Sequence, residues 1–217
     1  MYLLSSAFTD RNQIIIYIED GINRLRNVIK DILSKIKGLR IISMNNNVKS
    51  FPYGLPNFTR SVSWIVEKSL VQNLMKYRRL YGIRSINLPS SELEQYDCLI
   101  EFNGNPLRFY INIKTSDIKA ENRYDDISKA RRLIEFLAKI GENPLLIVTV
   151  KVEFIYDGII FHPDKTIIYN VAWLKDFKYN PHNRNLQTRT LYAERNIEKR
   201  LNYEFIQILK QLINTSS

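Results

Sequence analysis

The sequence predicts an α/β protein with a central mixed β-sheet flanked by helices, and three observations predict it. Residues 96 to 114 read as two apolar strands joined at Asn103-Gly104, the strongest short-range hairpin signal. Leu145 to Phe154 is a continuous apolar run rich in Val and Ile, as a strand buried on both faces requires. Long stretches before and after these carry apolar residues at helical spacing. At 217 residues the chain is long enough to bury a good core as one domain spanning 1–217.

From Asn12 to Lys37, Ile18, Ile22, Leu25, Ile29, Ile32 and Ile36 recur at spacings of four and three, so a long amphipathic helix runs to Gly38. Its stripe suits core packing or, alternatively, a dimer interface. Leu39 to Ser43 reads as a short strand. The polar segment from Met44 to Asn57 is punctuated by Pro and Gly. In it Asn46, Asn47 and Lys49 are candidate contacts to bases or phosphates, or simply a solvated turn. A second helix over 61–81 sets Val62, Ile65, Val66, Leu70, Leu74 and Tyr77 inward. Glu67 lies at the margin of that stripe, where an acid snorkels or pairs with Lys68.

The hairpin register follows from its turn. Pro106 cannot donate to a ladder, so residues 103 to 106 form the loop, Phe102 faces Leu107 and Asp97 faces Asn112. Alternation then puts Asp97, Asn112 and Lys114 on one face. A polar loop to about Tyr124 follows, then a third helix carrying Ile127, Ala130, Ile134, Leu137 and Ile140. After the apolar strand, Ile159 to Phe161 and Thr166 to Val171 read as strands. Residues 176–190 show no core periodicity and are crowded with Asn, Arg and Gln, which hydrogen-bond base edges well. Asn180, Asn183, Arg184, Asn185, Gln187 and Arg189 are therefore candidate DNA contacts, together with Thr115 and Ser116 beside Lys114. A last helix is expected over 193–213.

Lys and Arg number 32 against 22 Asp and Glu, a net charge of +10. That excess favours a polyanionic partner, or reflects a basic protein from an AT-rich genome. One cysteine, Cys98, excludes an intrachain disulfide framework and fits the cytoplasm. No segment approaches membrane-spanning length. There is no phosphate-binding glycine loop and no dinucleotide fingerprint, and two histidines without companions argue against zinc.

What remains is the hairpin. An acid on one strand with an acid-x-lysine on the next is what metal-dependent phosphodiester hydrolysis needs. Carboxylates hold a hard cation such as Mg2+, and a lysine orients the attacking water or neutralises the transition state. Asp97 supplies the first acid, and Asn112-Ile113-Lys114 stands at the second. A cross-strand ion pair between Asp97 and Lys114 is the plainer alternative.

The stretch Ile111-Asn112-Ile113-Lys114-Thr115, preceded by Asp97, resembles the signature of the PD-(D/E)XK nuclease superfamily, and more narrowly the EcoRV-like, blunt-cutting type II restriction endonucleases. In that group a helical Glu lies about thirty residues before the first Asp, a position Glu67 occupies here. The order Leu174-Lys175-Asp176, Tyr179-Asn180-Pro181 and a Gln-containing segment is similar to their base-reading region. The resemblance covers about residues 60 to 190 and implies a restriction-endonuclease-like core. It implies a homodimer cutting palindromic double-stranded DNA with Mg2+ held by Asp97, Glu67 and the residue at 112, and Lys114 as catalyst.

One departure stands out: the family carries Asp or Glu where this chain has Asn112. Glu101 cannot substitute, since it lies four residues toward the turn, on the order of 13 Å along the strand, and faces Arg108. Asn112 marks either a natural variant leaning on Asp97 and Glu67, or an Asp changed to Asn that traps an uncleaved complex. A structure-selective repair nuclease and a cleavage-incompetent DNA-binding protein are the alternatives.

Overall fold

A computed structural model describes residues 10–40, 58–91, 93–120, 124–155 and 158–215. Asn46, Asn47 and Lys49 lie outside the described residues. Asp10 caps α1 (Arg11–Ile36), its carboxylate accepting the Asn12 N–H at 2.9 Å. The predicted isoleucine stripe packs into this chain's own core, with Ile18, Leu25, Ile29 and Ile32 buried. β1 (Gly38–Arg40) follows, then α2 (Phe58–Tyr77), which begins and ends a little earlier than its periodicity suggests.

β2 (Ile83–Asn87) was not expected: it is short, and the alternation of Ile83 and Ile86 is broken by a bulge. β3 (Cys98–Phe102) and β4 (Arg108–Asp117) form the hairpin. Their pairs Cys98↔Ile111, Leu99↔Tyr110, Ile100↔Phe109 and Glu101↔Arg108 are the predicted register. Gly104 takes φ +75° at the turn, a conformation glycine adopts without penalty.

The start of the expected third helix is instead a strand. β5 (Tyr124–Lys129) includes Ile127, and α3 (Ala130–Ile140) starts only after it. β6 (Leu145–Ile155) is the predicted central strand, followed by β7 (Gly158–Phe161) and β8 (Ile167–Asn170).

Residues 176–190 are likewise not a loop but a hairpin, β9 (Phe177–Asn180) and β10 (Asn185–Arg189). Polar side chains hid it, yet Leu186 and Thr188 are fully buried and Phe177 stacks edge-on against Phe205. The last helix, α4 (Asn202–Thr215), begins nine residues later than expected. The residues before it are committed elsewhere: buried Arg200 donates to the Leu174 carbonyl at 2.8 Å, and the Trp173 indole N–H donates to the Arg200 carbonyl at 2.9 Å.

The main sheet runs β1-β7-β6-β4-β3-β2, with β8 also paired to β6. Only β4 and β6 are parallel, and β5 with α3 forms the crossover between them. A second sheet, β5-β10-β9, lies against the crossover side. The opposite face, carrying Phe109, meets α1 so closely that a Cβ on Gly21 would lie 2.0 Å from the Phe109 ring. α2 packs on α1 and β4. On the crossover face Phe136 of α3 stacks on Tyr96 and meets Tyr110 edge-on. No described helix is long and apolar enough to cross a membrane.

Candidate active site

β3 and β4 part company just before Cys98, and Asp97 sits at the fork. Its N–H donates to the Ile111 carbonyl at 2.7 Å, and its carboxylate accepts the Ile113 N–H at 2.6 Å. The side chain thus stands in for the missing strand carbonyl, which fixes the carboxylate at the sheet's edge. Burial and, to a lesser degree, the nearby Glu67 charge push the Asp97 carboxyl up to about 6 against the opposing Ile113 N–H, Lys68 and Lys114. Glu67 on α2 thus acts on Asp97 through its charge, and its carboxylate pairs with Lys68 at 2.9 Å.

Asn112 uses its amide to bind the chain: Nδ2 donates to the Gln95 carbonyl at 3.2 Å. Gln95 Oε1 in turn accepts the Ser128 hydroxyl of β5, so Gln95 links both strands beside the site. Lys114 does not close the simple ion pair with Asp97. Its ammonium donates to the Asp126 carbonyl and, at 3.3 Å, to the Ile127 carbonyl of β5. Burial lowers its pKa, while Asp125, Asp126 and Asp97 hold it up.

The pairs Lys114↔Thr149 and Ser116↔Lys151 put a second lysine on the same face, one strand over. Lys151 is buried; its ammonium donates to Ser116 Oγ at 2.9 Å, and Asp125 and Asp117 offset the burial that lowers its pKa. Sequence reasoning missed Lys151, although a lysine flanked by valines inside that apolar run was the available signal. Gln95, Asp125 and Asp126 were missed too, because only the fold brings β5 over β4.

The other candidates separate. Glu101 is occupied by Arg108 at 3.2 Å and Ser85 at 2.6 Å, as the rejection of it as a ligand requires. Thr115 Oγ1 is buried without a partner, and Ser116 serves Lys151. On the second sheet, Asp126 collects the amides: Gln187 at 2.6 Å, Asn185 at 2.7 Å and Asn183 at 3.4 Å. Asn180 accepts the His182 N–H within its own turn. Arg189 lies 4.9 Å over the Tyr124 ring. Arg184 is exposed at the turn with φ +58°.

Among the described residues, no three His, Cys, Asp or Glu side chains converge as a metal-binding group. The donors on offer are two carboxylates whose charges interact, Asp97 and Glu67, with the Asn112 amide alongside. Half-buried like charges of this kind fit a hard divalent cation, which would relieve their repulsion. No family model matches the chain, and no curated protein matches it.

Proposed function

We propose that the protein is a divalent-metal-dependent DNA endonuclease whose centre is Asp97, Glu67, Asn112 and Lys114, and that it acts as a homodimer on a palindromic duplex. The observation that carries this reading is the Asp97 carboxylate, half-buried at the strand fork and fixed by the Ile113 N–H at 2.6 Å, made less acidic by burial and by the Glu67 charge, and sharing its field with the Lys114 ammonium. A perturbed acid beside a half-buried lysine marks a site built for chemistry rather than for stability. The net charge of +10 supports a nucleic-acid substrate. The buried free thiol of Cys98 fits a reducing compartment such as the cytoplasm.

Asp97 and Glu67 would hold Mg2+, with the Asn112 carbonyl oxygen as a neutral third donor. Bound there, the cation supplies charge at the scissile phosphate and a more acidic water. The chain's own residues do the rest. The Ile113 N–H aims the Asp97 carboxylate, the β5 carbonyls fix Lys114, and its ammonium neutralises charge on the phosphate as the water attacks. Asn112 brings no negative charge, so metal binding is weaker than with an acid at that position.

That feature favours a second reading, a DNA-binding protein that does not cut. Plasmid digestion in Mg2+ separates the two. Discrete fragments support the restriction reading, and junction cutting or a smear supports a repair nuclease. Selective binding without cleavage supports the binder.

A further inference from the structure

The turn between β9 and β10 meets the start of α3 at one rim of the small sheet. Asn185 stands opposite Lys129 in the ladder, and the Ala130 N–H donates to the Arg184 carbonyl at 3.0 Å. Lys129, Arg131, Arg132 and Arg184 are thereby gathered, all four exposed. Among the described residues no ion pair or hydrogen bond engages any of their side chains. The nearby acids are occupied: Asp126 takes three amides, and Asp125 accepts the Thr190 hydroxyl at 2.8 Å. Glu135, next along α3, is the remaining local acid.

With its amides spent on Asp126, this hairpin offers cations in place of base-edge donors and acceptors. We propose that the rim formed by Lys129, Arg131, Arg132 and Arg184 binds the sugar–phosphate backbone of duplex DNA and leads the strand to Asp97 and Lys114. The proposal rests on the DNA-cleaving reading above and replaces the base-reading role expected of residues 183–187. The connection to the site is short. β5 gives the Asp126 and Ile127 carbonyls to Lys114, and Lys129 follows two residues later on the same strand. Point charges on a rim recognise phosphate without regard to sequence, so this surface sets affinity and salt dependence and leaves specificity to other residues.

The test is binding of a short labelled DNA duplex in EDTA over a range of KCl, for the unaltered protein and for K129Q/R131Q/R132Q/R184N. Asn suits the positive φ at 184. A control, K76Q/R78Q/R79Q, removes charge at the end of α2. The rim variant is expected to bind at least ~10-fold more weakly, and its log–log salt slope to fall by about 3 to 4. The control should keep most of its slope. Should the rim variant melt well below the unaltered protein, R131Q and R132Q singly are each expected to lower the slope by about one. An unchanged slope in the rim variants, or an equal loss in the control, overturns the proposal while leaving the nuclease reading intact. Absence of salt-dependent binding by the unaltered protein overturns both.

Discussion

Asp97 holds a carboxyl raised to about 6 in the folded chain against an ordinary value of 3.8. A raised folded value means the native state holds its proton more tightly than the unfolded chain does. The stability this contributes is fully present below about pH 4 and is lost as pH rises through 6. Above pH 6 the buried anion therefore costs stability, on the order of 1–2 kcal/mol once partial exposure is allowed for. Asp97→Asn should accordingly be more stable than the unaltered protein at pH 8, with the gain vanishing by pH 4, as read by urea denaturation across pH. A less stable variant at pH 8 would contradict this. Asn112→Asp acts in the opposite sense, since it sets a carboxylate against the Gln95 carbonyl and beside Asp97. Its metal-free melting temperature should fall, and Mg2+ should restore more than it does in the unaltered protein. Equal responses to Mg2+ would remove position 112 from the metal site. Lys114→Ala is expected to abolish cutting while leaving DNA affinity within about threefold, because its ammonium faces the β5 carbonyls and the reaction rather than the outer surface. Cutting that survives the change would end the lysine's assigned role.

The elements divide by how local their signals are. The hairpin register was legible because Asn103-Gly104 and Pro106 fix the turn and alternation does the rest, so Asp97, Asn112 and Lys114 could be set side by side. α1 was legible through its isoleucine stripe, and β6 through its apolar run. β5, β9 and β10 were not: each is rich in Asn, Asp, Lys and Arg, and becomes a strand by pairing with distant partners and by burying Leu186. For the same reason the amides at 183, 185 and 187 read as free contacts, when Asp126, about 60 positions away in the chain, accepts hydrogen bonds from all three. The fit of α1 on the sheet is equally invisible in sequence, since Gly21 looks like a helix blemish until Phe109 is seen against it. Gly21→Ala should destabilise the chain by about 1–3 kcal/mol despite its better helix propensity. Chemical denaturation that shows a gain would mean the ring moves aside freely.

On the scale of the whole molecule, two sheets and the β4–β6 crossover bring together groups that the chain keeps far apart. Glu67 arrives from α2, Asp97 from the fork, and Lys114 and Lys151 from adjacent parallel strands, with β5 laid across them. The molecule thus sets half-buried charge on one side of the sheet and exposed basic charge on the rim beside it, a layout that suits the proposed phosphodiester substrate. In the proposed function, Asp97, Glu67 and Lys114 form a metal-dependent cleavage centre in which Asn112 is the weak ligand. The most direct measurement is plasmid cleavage in Mg2+ by the unaltered protein and by Asn112→Asp, side by side. Discrete fragments are expected, produced at least ~10-fold faster by Asn112→Asp and by neither protein in EDTA. Failure of both proteins to cut in Mg2+ would contradict that function.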